Sequence, residues 1–356
     1  MVARNIVAPL IAAALVSMSG IASQAEISER EFQVVGTWGG LEHWKARESV
    51  FWNETLPGAS EGKLTANAKP LTELGLSGFE LLRQLRLGAF DFAHGVFSYV
   101  ASDSPVIEGV DLAGIVDNLD AYREVMSAYR PILEQEFRDK FNAEILMLYP
   151  WPDQQMYCNL EGAESADIAL GDLSGRKIRT YNATLGDFVE GFGASATTIT
   201  FAEVIPAIEK GVVDCSITSV TAAYRSKLYQ VTTHNFQLNL GNVGSFLAVN
   251  RDVWSSLSEE DRDIIRSGLS ELEEEMWTAT AANNVRGNLC TGKGPCDLGD
   301  PGGLIDVVPG DADAERTREI VETIVLKRWA KRCGAECAGA WNDTVGKVVG
   351  MTASAD

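Results

Sequence analysis

The sequence has few basic residues and no long apolar run beyond its first 25 positions. Its 30 Lys and Arg residues stand against 50 Asp and Glu residues, which gives a formal net charge of -20, and the basic residues form no stripe. Nucleic-acid binding draws on clustered positive charge, so this balance excludes a nucleic-acid partner. A membrane-crossing helix needs about 18 or more consecutive apolar residues, and none follow position 25. The mature chain is therefore not expected to span a membrane.

Residues and motifs of common catalytic sites are also scarce. The three histidines, His43, His94 and His234, belong to no nucleophile-elbow, zinc-helix or haem motif. No glycine-rich phosphate loop follows a predicted strand, and the cysteine spacings at 290–296 and 333–337 are not those of zinc sites. The sequence predicts no catalytic residue, no cofactor and no metal ion.

The first 25 residues have the composition of an export signal. Arg4 is the only charge before an apolar block at residues 6–18, and the small residues Ser23 and Ala25 precede Glu26. An N-terminal anchor is the alternative, but the apolar block is short and its exit is polar rather than basic. With no lipid-attachment cysteine, the sequence predicts a cleaved signal peptide and a free protein in the periplasm.

Cysteine usage agrees with export to an oxidising compartment, because an even number of cysteines follows the signal. The six are Cys158, Cys215, Cys290, Cys296, Cys333 and Cys337. The closeness of 290 to 296 and of 333 to 337 favours two local disulfides, which leaves Cys158 to pair with Cys215. Residues 333 and 337 do not bridge easily within a regular helix, so Gly334 is predicted to end that helix.

Predicted strands and helices alternate along the chain. The strands cover residues 32–36, 63–70, 89–95, 144–149, 177–181, 197–200, 212–218 and 241–250; the helices cover residues 41–56, 78–87, 117–142, 184–192, 201–210, 258–277 and 311–331. This alternation is typical of an α/β protein with mostly parallel sheets. Pro131 is expected to kink or restart its helix, and Ser258 with Asp261 predicts a capping box. Residues 150–157, which include two prolines, predict a crossover between domains.

Arg179 is the strongest candidate for ligand binding. It lies near the C-terminal end of a predicted strand that leads into a helix, where open α/β sheets bind ligands, and a guanidinium holds a carboxylate through two parallel hydrogen bonds. One such contact contributes about 1.5–3 kcal/mol, whereas micromolar binding needs about 8 kcal/mol, so apolar burial must supply much of the rest. The sequence leaves open a surface ion pair for Arg179, and we assign Arg176 and Lys177 to that role.

Aromatic and neutral polar residues follow other predicted strands. Trp38, Phe97 and Trp151 lie in loops at or just past strand ends, where aromatic rings can sandwich a ligand, although core packing is the competing interpretation for each. Neutral groups that could bind a ligand at similar positions are Gln155, Asn182, Thr218 and Ser219. Serine and threonine at strand ends also serve as caps, so this signal is weak.

Three segments carry a family resemblance. They are LSGRKIR at residues 173–179, GA at 193–194 and FAEVIPAIEKGVVD at 201–214, of which the last is the most specific; weaker similarity lies at 80–91 and 254–262. Together they resemble the periplasmic solute-binding proteins of tripartite ATP-independent periplasmic (TRAP) transporters.

The resemblance implies a two-lobed binding protein, without catalysis, that closes on an organic acid and delivers it to TRAP permease subunits in the membrane. Each lobe would be a mostly parallel sheet flanked by helices, with crossover strands and a long helix linking the two. Lobe I would comprise residues 26–152 plus about 243–280, and lobe II residues 153–242 plus about 281–356. Arg179 matches the carboxylate-binding arginine of the family.

Two departures from the family pattern bear on the ligand. Thr218 stands where a ligand-contacting asparagine is common, and Gln155 lies near the place where many relatives have a second arginine. One cation among several aromatics predicts a monocarboxylate with an apolar or aromatic body. Two other functions stay open at this point: an exported enzyme that uses a thiol of Cys158 or Cys215, and a sensor whose lobe closure signals to a receptor.

Overall fold

A computed structural model describes residues 1–2, 27–162, 164–238 and 240–355. The predicted export signal over residues 1–25 lies outside this described part of the chain, apart from its first two positions. The strands are β1 (Arg30–Gly36), β2 (Leu64–Pro70), β3 (Phe92–Val96), β4 (Ala143–Trp151), β5 (Gln154–Cys158), β6 (Lys177–Thr180), β7 (Ser195–Thr198), β8 (Cys215–Ser219), β9 (His234–Phe236), β10 (Val243–Asn250) and β11 (Ile305–Val307).

Helices cover the sheets and fill most of the connections. They are α1 (Leu56–Ala59), α2 (Leu81–Arg86), α3 (Phe97–Val100), α4 (Pro105–Glu108), α5 (Leu119–Phe141), α6 (Ala183–Gly191), α7 (Val204–Glu209), α8 (Val220–Arg225), α9 (Arg251–Ser256), α10 (Glu259–Thr291), α11 (Asp311–Ile320), α12 (Leu326–Cys333), α13 (Ala335–Asp343) and α14 (Val345–Val349). Segments with π-helical geometry are Trp44–Glu48, Phe51–Thr55 and Val321–Val325, and those with 3₁₀ geometry are Ala101–Asp103, Leu170–Leu173, Phe201–Glu203 and Leu228–Gln230. Within the described ranges no helix combines the length and apolar character needed to cross a membrane.

The strands form two sheets, one in each lobe. Sheet I, of lobe I, has the order β2-β1-β3-β10-β4, and sheet II, of lobe II, has the order β11-β9-β5-β8-β6-β7. The predicted two-lobed α/β architecture is confirmed, and each sheet is mostly parallel with one strand running against the others. In sheet I, β10 runs antiparallel to β3 and β4, and in sheet II, β5 runs antiparallel to β8 and β9.

The antiparallel pairs arise from the crossings between lobes. Strand β4 passes straight into β5 through residues 152–153, and β10 follows β9 back into sheet I, as the sequence predicts for both segments. A strand that enters a sheet from the other lobe runs against the strands of the strand–helix units, since the C-terminal ends of those units face the space between the lobes. The crossings therefore impose the mixed strand directions.

Helix α10 links the two lobes. It begins at the predicted capping box: Ser258 Oγ accepts from the Asp261 amide (3.0 Å), and the Asp261 carboxylate accepts from the Ser258 amide (3.3 Å). The helix runs on to Thr291, well beyond the predicted end at 277. Trp277 Nε1 donates to the Leu148 carbonyl on β4 (3.2 Å), whereas Gly287 packs against Val220 of α8. One continuous helix thus contacts both lobes.

Pro131 does not interrupt its helix. Helix α5 is continuous from Leu119 to Phe141, with Pro131 inside it, and Asn118 caps its start by accepting from the Ala121 amide (2.8 Å). A proline in a helix interior costs about 3 kcal/mol. The buried face of α5 offsets this cost by packing into the core through Tyr122, Val125, Met126, Tyr129, Leu133, Phe137 and Phe141. Tertiary packing outweighs the local preference.

Short elements account for the other differences from the sequence prediction. Helix α3 begins directly after β3, so Phe97 and Tyr99 lie on a helix rather than in a loop. The segment after residue 290, for which the sequence predicts no strand, contains β11, which pairs with β9. Both strands have three residues, which is too short for an alternating pattern to be recognised.

All six cysteines form disulfides, and the pairs are those that the spacing favours. Cys158 and Cys215 lie opposite each other on β5 and β8. Cys290 joins Cys296 at the end of α10, and Cys333 joins Cys337. Gly334, with φ 89°, separates α12 from α13, which confirms that this glycine ends the helix.

The C-terminal helices contact both lobes. Trp329 and Trp341 donate their indole N–H groups to the carbonyls of Pro105 (2.9 Å) and Gly109 (2.8 Å), which belong to lobe I. Ile320 instead lies against Gly191 of α6 in lobe II. The predicted assignment of residues 281–356 to lobe II stays a prediction.

Candidate functional site

A cavity lies between the two sheets. Strands β1, β3, β4, β6 and β8 all end beside it, since residues at or just past these ends form its walls. The aromatic wall residues are Trp38, Tyr99, Trp151, Tyr181 and Phe201, and the polar ones are Gln154, Arg179, Thr218 and Ser219. Both lobes therefore contribute to one largely aromatic chamber, in the position where open α/β sheets bind ligands.

Among the described residues, Arg179 is the only cation in the wall of this cavity. It lies on β6, between β7 and β8, and its side chain is 1% exposed. Its Nε donates to the Ile199 carbonyl (2.8 Å) and one terminal nitrogen donates to the Ile217 carbonyl (2.8 Å). The other terminal nitrogen donates to the hydroxyl of Tyr99 (2.9 Å). Sheet II and one tyrosine of lobe I thus hold the guanidinium in place.

The positive charge of Arg179 has no negative partner in the described part of the chain. None of the ion pairs there involves it, and its three hydrogen-bond acceptors are neutral oxygens. A guanidinium carries five N–H groups, so two remain, one on each terminal nitrogen. Burying a charge without a counter-charge is costly. An anion bound in the cavity would reduce that cost and accept the two remaining hydrogen bonds.

Aromatic rings surround the space next to Arg179. Trp38 packs edge-to-face against Tyr99 and Trp151, with ring centroids 5.2 and 5.7 Å apart, and Phe201 lies 6.0 Å from Trp38. The guanidinium carbon of Arg179 lies 5.0 Å from the centre of the Tyr181 ring. Such walls favour a flat or apolar ligand body, because apolar burial and ring stacking supply most of the contact.

His43 supports the Trp151 wall from behind. Its ring stacks on Trp151 with centroids 4.0 Å apart and an interplanar angle of 15°, and its Nε2 lies 3.2 Å from the Pro150 carbonyl. Burial lowers the pKa of His43 to about 4, so the ring is neutral at pH 7. His43 fixes the orientation of Trp151 without adding a charge near the cavity.

The neutral polar groups of the cavity differ in whether their hydrogen bonds are made within the protein. The Gln154 amide donates to the Pro152 carbonyl (2.7 Å) and accepts from the Tyr181 hydroxyl (3.0 Å). Ser219 is 3% exposed, and its hydroxyl has no hydrogen-bond partner among the described residues. A buried hydroxyl without a partner is unfavourable, so Ser219 is positioned to contact a polar group of a ligand.

The structure brings together five of the eight residues that the sequence proposed as ligand contacts: Trp38, Trp151, Arg179, Thr218 and Ser219. Phe97 instead packs in the core of lobe I, with ring centroids 5.1 Å from Phe246 and 6.0 Å from Phe137. It lies there because β3 leads directly into α3, which turns this side chain inward.

Asn182 and Gln155 also lie outside the central cavity. Asn182 caps α6 by accepting from the Leu185 amide (2.8 Å), and it lines a neighbouring cavity beyond Tyr99 and Tyr181. Gln155 follows Gln154 on β5, and successive side chains of a strand point to opposite faces. Gln154 therefore lines the cavity and Gln155 does not.

Sequence reasoning missed Tyr99, Gln154, Tyr181 and Phe201. Tyr181 directly follows β6 and Phe201 opens the 201–214 motif, so the strand-end rule could have selected both. Tyr99 lies on α3, and no sequence signal places it beside residues 80 to 100 positions away. A metal site finds no support in the described part of the chain, where no three His, Cys, Asp or Glu residues come together.

Comparison with known proteins agrees with this architecture. The family model of the bacterial extracellular solute-binding proteins, family 7 (DctP), matches residues 36–287, which include both crossover strands and most of α10. The chain belongs to this family. Members of the family are solute-binding proteins rather than enzymes.

Individual relatives are distant in sequence. The sialic acid-binding periplasmic protein SiaP of Vibrio cholerae is 23% identical over 266 residues, which cover 74% of this chain and 79% of SiaP. The crystal structure of DctP6 of Bordetella pertussis, a receptor that binds pyroglutamic acid, matches with a TM-score of 0.79 at 19% identity, covering 89% of this chain and 100% of DctP6. The sugar acid binding protein DctPAm of Advenella mimigardefordensis, in complex with galactonate, matches with a TM-score of 0.78 at 18% identity, covering 90% and 99%. The two crystal structures share the fold of this protein.

Proposed function

We propose that this protein captures a small organic acid in the cavity between its lobes and delivers it to the membrane subunits of a TRAP permease. Arg179 fixes the carboxylate of the acid, and closure of the lobes buries the rest of the molecule. The observation that carries the proposal is the charge of Arg179, which is buried beside two unused N–H groups and lacks a negative partner among the described residues.

The walls of the cavity favour a monocarboxylate with a flat or apolar body. The described residues of the walls include one cation and five aromatic side chains, and the Gln154 amide is already hydrogen-bonded within the protein. A sugar acid carries many hydroxyl groups, and few polar groups here are free to bind them. Distant relatives bind pyroglutamate and galactonate, both of which are organic acids. Of these two kinds of acid, the aromatic walls favour a ring-shaped one such as pyroglutamate over a polyhydroxylated one such as galactonate.

Location and mode of action follow from the same reasoning. The family is extracellular, three disulfides suit an oxidising compartment, and the N-terminal sequence supports export to the periplasm. The alternative of an enzyme with a catalytic thiol loses its nucleophile, since all six cysteines are paired. We therefore propose binding and transfer without turnover of the ligand.

Calorimetry with a panel of pyroglutamate, orotate, benzoate and galactonate tests the proposal. We expect Arg179→Ala to weaken binding of the preferred acid roughly 10- to 100-fold, because a charge-assisted hydrogen bond is worth about 1.5–3 kcal/mol. The matched control is Arg176→Ala, which removes an exposed arginine three positions earlier on the chain. Equal affinities of wild type and Arg179→Ala would exclude Arg179 from the site. Mass spectrometry of the acid that co-purifies with the protein would identify the ligand directly.

A further inference from the structure

Through Tyr99, lobe I contacts two hydrogen-bond donors of lobe II. Its hydroxyl accepts a hydrogen bond from a terminal nitrogen of Arg179 (2.9 Å) and a second one from the Phe201 amide (3.1 Å). Tyr99 belongs to α3 of lobe I, whereas Arg179 and Phe201 belong to lobe II. Two donors of lobe II therefore converge on one oxygen from the opposite lobe.

Packing holds the Tyr99 ring in this position. The ring stacks on Phe79 with centroids 4.6 Å apart and an interplanar angle of 15°, and Tyr181 lies on its other side at 5.9 Å and 22°. Gly78 makes the close approach possible, because a Cβ there would lie 3.2 Å from the ring and its φ of 98° disfavours other residues. The side chain is 5% exposed, so its hydroxyl is placed by rigid neighbours.

The hydroxyl of Tyr99 retains one hydrogen bond to make. Burial raises the pKa of Tyr99, which keeps the phenol protonated, and its oxygen already accepts twice. No acceptor for its own proton lies among the described residues. A carboxylate held by the free N–H groups of Arg179 would lie beside this hydroxyl. It would accept a short, charge-assisted O–H···O hydrogen bond from the phenol.

We propose that Tyr99 is the lobe I residue that binds the ligand carboxylate and couples that contact to closure of the lobes. This inference rests on the proposed function and adds to it a specific contact from the second lobe. Without an acid, closing the lobes buries the charge of Arg179 against neutral oxygens only, which is unfavourable. With an acid bound, the hydroxyl donates to the carboxylate while its oxygen accepts from Arg179 and Phe201. The acid thus favours the closed form.

The test compares Tyr99→Phe with Tyr224→Phe. Each variant removes one buried phenol hydroxyl and keeps its ring, but the Tyr224 hydroxyl donates to the Asp300 carbonyl (2.9 Å), and Tyr224 does not line the cavity. The probe is whichever of pyroglutamate, orotate, benzoate and galactonate the wild type binds most tightly. Stopped-flow fluorescence measures binding and release, and small-angle scattering measures compaction at saturation.

We expect Tyr99→Phe to lose about 10-fold or more in affinity, mainly through faster release, and to compact less than the wild type when saturated. Tyr224→Phe should stay within about 3-fold and compact fully. Near-equal affinity and compaction of Tyr99→Phe and wild type, or equal losses in both variants, would overturn the inference and leave the proposed function standing. A wild type that binds no acid of the panel would overturn both.

A crystal structure of the wild type with the same probe provides a second readout that does not depend on a variant folding. The inference requires a carboxylate oxygen within hydrogen-bond distance of both the Tyr99 hydroxyl and the Arg179 guanidinium. A carboxylate that contacts Arg179 while Tyr99 points elsewhere would overturn the inference and support the proposed function.

Discussion

At the scale of single residues, buried charged groups differ in whether the protein itself supplies their partners. Arg179 is a buried cation surrounded by neutral acceptors, a state that an anionic ligand improves. Glu48 is a buried acid that the protein itself satisfies: it accepts from the Thr37 amide and hydroxyl, both at 2.8 Å, and from the Tyr149 hydroxyl at 3.1 Å. Glu48 therefore stabilises the wall behind Trp38 and is not a ligand contact.

The buried carboxyl group of Glu48 leads to a prediction of how the stability of the fold depends on pH. Burial raises its pKa to about 7, so between pH 4.5 and 7 the folded state holds a proton that the unfolded state has released. The contribution of Glu48 to stability is therefore present at low pH and is lost as the pH rises toward 7, by up to about 3 kcal/mol. We expect Glu48→Gln to gain stability relative to wild type as the pH rises from 5 to 8, measured by urea unfolding at each pH.

Comparing wild type with Glu48→Gln separates the effect of Glu48 on stability from the effects of its neighbours. His94, 3.8 Å from the carboxylate, has a pKa lowered to about 3 by burial and acts in the opposite sense, but it is present in both proteins. The lost acceptor oxygen in Glu48→Gln shifts the stability at every pH and leaves the slope unaffected. A stability difference that stays constant from pH 5 to 8 would contradict the raised pKa.

At the scale of elements, local sequence signals set where helices begin and end, and packing sets how far they extend. The Ser258–Asp261 capping box and Gly334 are readable from the sequence and lie where it predicts. The continuation of α10 to Thr291 and of α5 through Pro131 depends on contacts with both lobes and with the core. Those contacts join residues far apart in the chain, so no local pattern shows them.

Gly287 tests the contact between α10 and lobe II. A Cβ at this position would lie 2.4 Å from a Val220 methyl group and 2.7 Å from its backbone carbon, so α8 and α10 would have to move apart. We expect Gly287→Ala to lower the free energy of unfolding by about 1–3 kcal/mol, measured by urea denaturation.

The matched control for that substitution is Gly339→Ala in α13, where a Cβ meets no atom within 4 Å. It should raise stability by up to about 1 kcal/mol, because alanine favours a helix more than glycine does. Equal effects of the two substitutions would show that α8 and α10 are not in close contact at Gly287.

At the scale of the whole molecule, a further hydrogen bond between the lobes lies outside the aromatic cavity, beside the neighbouring cavity that also borders Tyr99 and Tyr181. Glu108, on α4 of lobe I, accepts from the Thr184 amide at the start of α6 in lobe II (2.9 Å). Arg332, on α12, lies 3.6 Å from Glu108 and 2.8 Å from Asp187 of α6. A carboxylate at a helix N-terminus is favourable, so this contact stabilises the arrangement in which the two lobes touch.

Removal of this contact should weaken ligand binding at a distance. We expect Glu108→Ala to lower the affinity for the preferred acid about 3- to 10-fold and to reduce compaction at saturation, since the closed form loses an interlobe bond while the cavity is unchanged. Calorimetry and small-angle scattering measure the two effects. Glu124→Ala, which removes an exposed acid from α5, is the control. Unchanged affinity in Glu108→Ala would show that this contact does not favour closure.

The sequence by itself determined the α/β alternation, the crossover after β4, the favoured cysteine pairs, the family resemblance and the choice of Arg179, because each rests on local patterns or short motifs. Only the tertiary structure decided which side chains share the cavity. It placed Tyr99 beside Arg179, selected Gln154 over Gln155, and removed Phe97 and Asn182 from the cavity. The face that a side chain occupies depends on strand register and on the packing of distant segments, and neither can be predicted from the residues next to it.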